Sequence, residues 1–123
     1  MALEAYPTRA TSPEVVEHHF RLLGGTTAVT KESGSAPGVT AAYSTTGTYT
    51  LTFTQDPGTF LNWGYGLGAA TPGDLAGHTA IRDTWDTTNH VFTFIVYNAS
   101  FAAHDLAANE YIDITLRFQR GAV

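Results

Sequence analysis

The sequence contains no cysteine. Disulfide frameworks, thiolate zinc sites, thiol nucleophiles and cysteine-ligated iron–sulfur clusters are therefore excluded. Basic residues are scarce: 6 Lys and Arg stand against 11 Asp and Glu, for a formal net charge of -5. With nothing basic clustered, no nucleic-acid partner is expected, because phosphates would find no counter-charge. Charged residues make up 14% of the chain, well below the average of about 25%. Long apolar runs are also missing. The longest, Val91 to Tyr97, includes Thr93 and falls far short of the ~20 residues that a helical membrane span needs. Residues 1–13, MALEAYPTRATSP, have no basic stretch followed by an apolar core. No secretory leader is expected there, and synthesis in the cytoplasm is.

What is present is a chain of 123 residues, 43% hydrophobic, long enough for one domain. A domain of that size buries about two-thirds of the surface its unfolded chain exposes, enough for one real core. Residues 1–13 carry Pro7, Pro13 and three hydroxylated residues without any period. They are expected to form an extended N-terminal arm, ahead of a single domain over residues 14–123.

From Glu14 onward the pattern has a period of two. Val16, His18, Phe20 and Leu22 alternate with Glu17, His19 and Arg21. Gly24-Gly25 breaks the run, a short Thr-rich stretch follows to Glu32, and Ser33 to Gly38 reads as a loop. Tyr49, Leu51 and Phe53 alternate strictly with Thr48, Thr50, Thr52 and Thr54. A β-branched polar face thus lies opposite an aromatic and aliphatic one. Val39 to Tyr43 precedes this strand across a turn ending in Gly47, so the pair is expected to form a hairpin.

Phe60 to Gly68, FLNWGYGLG, has glycine at alternate positions, which predicts a strand with one bare face packed closely on another backbone. Ala80 to Asp86 and His90 to Asn98 are further strands. The second is apolar on both faces and is expected at the centre of a sheet or against a partner. Ser100 to Asn109 reads as a loop. Ile112, Ile114, Leu116 and Phe118 then alternate with Asp113, Thr115, Arg117 and Gln119 in a closing strand. The fold class is all-β: an antiparallel β-sandwich or jelly roll of about 7–8 short strands. The 20 threonines suit the exposed faces of such strands.

Chemistry-bearing residues form no recognisable constellation. His18, His19, His78, His90 and His104 have no HxH or HxxxH spacing, and adjacent His18 and His19 point to opposite faces of a strand. No catalytic residue, metal ligand or cofactor site is assigned, and the protein is expected not to be an enzyme. Histidines meeting from distant strands inside a small metalloenzyme barrel are the least favoured reading. Asp83 and Asp86 flank Trp85; this is read as a core or interface aromatic beside solvated turn acids, rather than as a paired-carboxylate site.

The stretch Thr46 to Phe53, TGTYTLTF, is similar to a "T-G-x-Y-x-V-x-F" strand of small tailed-bacteriophage structural proteins. Residues Asp105 to Leu116, DLAANEYIDITL, resemble their closing "D-L-x-x-N-(D/E)-x-(V/I)-x-(V/I)" strand. Length, absence of cysteine and abundance of Thr, Gly and Ala also resemble the capsid decoration (cement) proteins of that group. The resemblance implies a virion structural protein, made in the host cytoplasm and located on the capsid surface. It would bind and stabilise the lattice of the major capsid protein as a homo-oligomer, a dimer or trimer, with no membrane partner. Tyr6, Phe60, Trp63, Tyr65 and Trp85 are the expected partner-interface residues. The alternative is a carbohydrate- or receptor-binding head of a tail fibre. There Trp63, Tyr65 and Trp85 would stack on a ligand while Asn62, Asp83 and Asp86 read its polar groups.

Overall fold

Alternation of apolar and polar residues along nearly every segment leaves the chain one economical solution, which is to press the apolar faces of two sheets together. The computed structural model describes residues 14–32, 38–71 and 73–120. The expected arm at residues 1–13, and with it Tyr6, lies outside the described residues.

Among the described residues there are eight strands: β1 (Glu14–Gly24), β2 (Val29–Lys31), β3 (Val39–Thr45), β4 (Thr48–Phe53), β5 (Thr59–Ala69), β6 (Thr79–Asp86), β7 (Val91–Tyr97) and β8 (Glu110–Arg120). They form two four-stranded antiparallel sheets, in the orders β2-β1-β8-β5 and β3-β4-β7-β6. The sheets pack face to face as a sandwich, with the edge strands β5 and β6 facing one another along one side.

The core follows the period-two reading closely. Phe20 and Leu22 of β1 and Ile112, Ile114, Leu116 and Phe118 of β8 come from the first sheet. Tyr49, Leu51 and Phe53 of β4, and Phe92, Phe94 and Val96 of β7, meet them from the second. Strand β7 is central in its sheet, between β4 and β6, with Phe92, Phe94 and Val96 buried and the alternate residues partly exposed on the outer face. Ser100–Asn109 contains no helix and folds over one end of the sandwich, where Leu106 is completely buried. The Leu106 N–H donates to the buried Tyr49 hydroxyl at 2.7 Å, and the Gly47 N–H donates to Asp105 Oδ1 at 2.7 Å. Gly47 has φ +68°, and a Cβ there would come within 2.8 Å of His104 N and Val96 O. Only glycine fits that turn.

The outer faces of the two sheets differ sharply. On the first sheet, Arg117 donates to Glu17 at 2.6 Å and to Asn62 at 3.0 Å, while Arg21 makes paired bonds of 2.7 and 2.9 Å to Asp113. Arg21 also lies over the Tyr111 ring at 4.2 Å. The hydrogen bond from Arg117 holds the Glu17 carboxyl below its usual pKa, and the Asp113 pair raises that of Arg21. These pairs are exposed and contribute little to stability. The second sheet instead presents Thr48, Thr50 and Thr52 beside Thr93 and Ile95, in register across β4 and β7.

Candidate functional site

Strand alternation alone would put residues three apart on opposite faces. Two irregularities change this at the open side of the sandwich. In β5 the register shifts between Phe60 and Asn62, so Phe60 pairs with Phe118 and Trp63 with Leu116, both on the inner face. In β6 it shifts between Arg82 and Thr84, so Arg82 pairs with Phe94 and Trp85 with Phe92, again on the inner face. Each edge strand thus carries a bulge, and the two together aim Phe60, Trp63, Arg82 and Trp85 into one seam.

The rings in this seam are in mutual contact. Phe60 stacks on Trp85 with centroids 6.4 Å apart, and Trp63 stacks on Tyr65 at 5.2 Å. Phe92 joins the two pairs, 5.7 Å from Phe60 and 5.2 Å from Trp63. Phe118 forms the floor, 5.1 Å from Trp85 and 5.7 Å from Phe60. The Arg82 guanidinium lies 4.9 Å from the Phe60 ring centre, a cation–π contact. At the far end the Tyr65 hydroxyl and Thr79 Oγ1 are 2.7 Å apart. Phe60, Trp63 and Trp85 are half-buried and Tyr65 is 40% exposed.

The seam opens into a cleft of about 610 Å³ whose walls are Phe60 and Trp85, with Arg82, Asp56 and Gln119 among its polar groups, beside Thr59 and Thr87. Asp56 Oδ1 accepts the Gly58 N–H at 2.9 Å. Among the described residues Arg82 has no carboxylate at ion-pair distance. A neighbouring cleft of about 330 Å³ shares Asp56 and is bounded by His18, Phe53 and Arg120. His18 sits among Phe20, Phe53 and Phe118, with centroids 6.4, 5.2 and 5.8 Å away, and its Nε2 is buried with no hydrogen-bond partner. Burial pushes its pKa down, and the positive charges of Arg120 and His19 add to that.

Four of the five expected interface residues, Phe60, Trp63, Tyr65 and Trp85, therefore come together along the β5–β6 side. The polar residues expected beside them do not. Asn62 faces outward and accepts from Arg117. Asp86 holds its own turn, accepting from Thr88 N at 2.9 Å and from Asn89 N at 3.0 Å, and these bonds with the Asn89 side chain lower its pKa. Asp83 sits at the exposed bulge. The polar groups that do share the cleft, Arg82, Asp56 and Gln119, carry no local signal in the sequence.

Adjacent His18 and His19 lie on opposite faces of β1, His18 on the inner face and His19 on the outer one. His78 and His104 do meet, edge to face at 4.5 Å, and His104 Nε2 lies 3.0 Å from Glu110 Oε1. Among the described residues no group of three or more His, Asp or Glu is arranged to hold a metal ion.

Comparison with known proteins places nothing beside this chain: no family model, no curated protein and no solved structure matches it.

Proposed function

We propose that this protein is a non-enzymatic structural protein of a tailed-phage virion, a decoration protein that binds the major capsid protein lattice and stabilises it. The observation that carries this reading is the β5–β6 seam. Large rings are held half-exposed there by two facing bulges, although a monomer gains more by burying them fully. Rigid aromatic anchors beside an arginine are the usual composition of a protein-binding hot spot. The two segments that resemble phage proteins lie elsewhere, one on the turn into β4 and β4 itself, the other from the loop before β8 through Leu116 of β8, where they build the scaffold that carries the seam.

The reading predicts that the chain is present in purified virions at a fixed ratio to the major capsid protein. Replacing Trp85 by Ala should weaken its binding to capsids stripped of it by at least about tenfold, in line with losing one buried anchor. Presence only in infected-cell lysate, or undiminished binding by a folded Trp85→Ala variant, would overturn the proposal.

A second reading is favoured by the cleft itself. Stacked Phe60 and Trp85 with Arg82, Asp56 and Gln119 at hand form a surface for a sugar ring and its hydroxyls, as in a receptor-binding head. Titration with a glycan panel, followed through tryptophan emission, separates the two. A saturable shift lost in Trp85→Ala supports the sugar, and a flat response removes it.

A further inference from the structure

In a chain of net charge -5 cations are scarce, and where they stand unpaired marks where negative charge is accepted. Arg21, Lys31, Arg82, Arg117 and Arg120 are the basic side chains among the described residues. The first, second and fourth are engaged inside the chain. Arg21 pairs with Asp113, Arg117 pairs with Glu17, and Lys31 Nζ donates to Val39 O. Arg82 and Arg120 are exposed, and among the described residues neither has a carboxylate at ion-pair distance. Glu14 stands opposite Arg120 in the β1–β8 register without closing a pair.

The two arginines line adjoining clefts. Arg82 belongs to the one walled by Phe60 and Trp85, Arg120 to the one bounded by His18 and Phe53, and Asp56 lines both. Trp85 of the first cleft meets Phe53 of the second edge to face at 5.8 Å. A Cβ on Gly58, in the first cleft, would come within 3.0 Å of Arg120 Cγ. The clefts therefore form one groove with an aromatic wall, a guanidinium in each half and the Asp56 carboxylate shared between them. His18 adds no positive charge near neutral pH, because burial holds its pKa down. The Arg82 guanidinium lies over the Phe60 ring at 4.9 Å. That contact uses the face of the guanidinium and leaves its N–H edge for a planar acceptor.

We propose that this groove takes an extended acidic segment of a protein partner, with one carboxylate on Arg82, another on Arg120 and an uncharged stretch between them passing Asp56. This rests on the reading of the β5–β6 seam as a protein-binding surface, and it names the chemistry of what the seam binds. Charge complementarity carries it. Each guanidinium can give a carboxylate two parallel, charge-assisted hydrogen bonds, which no group of the described chain provides. Asp56 narrows the choice further. Its Oδ1 accepts the Gly58 N–H at 2.9 Å, so its carboxylate is held in place, where it repels a continuous run of acids and accepts N–H groups from an uncharged backbone. A basic segment is rejected at both ends of the groove, and a uniform polyanion in the middle.

Panning a random peptide library against the full chain tests this. Selected peptides should carry Asp or Glu at two positions separated by uncharged residues. Resynthesised and titrated by fluorescence anisotropy, they should bind more weakly as salt rises. Arg82→Gln and Arg120→Gln should each weaken them by about fivefold, as for loss of one exposed ion pair. Both side chains are exposed, so the variants keep the fold, and unchanged thermal melts verify it. Arg117→Gln makes the same change of charge on the outer face and should leave the affinity as it was. No selected peptides, neutral or basic ones, or an equal loss in Arg117→Gln would overturn the proposal. So would binding of oligoguluronate in place of any peptide, which would assign the groove to an anionic glycan. The capsid reading is judged separately. If Trp85→Ala loses binding to stripped capsids while Arg82→Gln and Arg120→Gln keep it, only the acidic partner is refuted; if peptides bind through both arginines but the chain is absent from virions, only the capsid is.

Discussion

Phe118 is the residue on which the fold and the seam depend together, and Phe118→Ala gives the sharpest test of the packing argument. Its ring is fully buried on the central strand β8 and lies 5.3 Å from Phe53, 5.7 Å from Phe60, 5.1 Å from Trp85 and 5.8 Å from His18. Truncation removes the apolar contact of one whole phenyl group and leaves a cavity between two sheets that cannot collapse without bending β8. Such substitutions cost about 3–5 kcal/mol. Each aromatic pair can add about 0.5–1.5 kcal/mol beyond area, but four pairs sharing one ring are not additive, so the same range is expected to hold. With a urea slope of about 2 kcal/mol per molar, the midpoint should fall by about 2 M at unchanged slope. Urea unfolding followed by tryptophan emission measures this, and the same spectra report on Trp85, which should shift to the red as its floor is removed. Phe101→Ala is the control: that ring is 78% exposed, and its loss should stay within about 0.5 kcal/mol. A Phe118→Ala loss below about 1.5 kcal/mol, or an unshifted Trp85, would refute the claim that this ring supports both core and seam.

Three further outcomes follow from single contacts. Tyr49→Phe should cost about 1–3 kcal/mol, because the Leu106 N–H is left buried without its acceptor, and hydrogen exchange should rise at Leu106 before the strands open. Gly24→Ala should cost at least about 2 kcal/mol, since its Cβ would lie 2.5 Å from the Ala107 and Leu106 carbonyl oxygens; Gly66→Ala, with open space, should be neutral or slightly stabilising, and thermal melts compare the two. His18 has a pKa depressed by burial, so the unfolded chain binds its proton at higher pH than the folded one. Stability should therefore fall as pH drops below about 6.5. In His18→Phe, which suits the surrounding rings, that part of the fall between pH 7 and 5 should vanish; an identical pH profile would show that His18 is solvated.

The strands were largely legible because their information is local. In β4 and β8 each residue declares its face by its own polarity, and Tyr49, Leu51, Phe53, Ile112, Ile114, Leu116 and Phe118 all occupy the core that alternation assigned them. The aromatic candidates Phe60, Trp63, Tyr65 and Trp85 were likewise visible as large rings on segments poor in charge. Their convergence was not. It depends on the bulges at positions 61 and 83, each of which reverses the facing of everything beyond it. A one-residue register shift leaves no mark in composition or period.

Composition and periodicity by themselves determined the all-β class, the core residues and the chemistry that lack of cysteine forbids. These are sums over single residues and near neighbours, and no partner from elsewhere in the chain is needed to read them. Tertiary structure decided the strand order, the meeting of β5 with β6 and the replacement of Asn62 and Asp86 by Arg82, Asp56 and Gln119 around the aromatic cleft. It also separated Gly68, which makes room for Tyr111, from Gly64 and Gly66, which make room for nothing inside the protein. Such distinctions depend on which distant strands become neighbours, and that is set by the free energy of the whole sandwich rather than by any one segment.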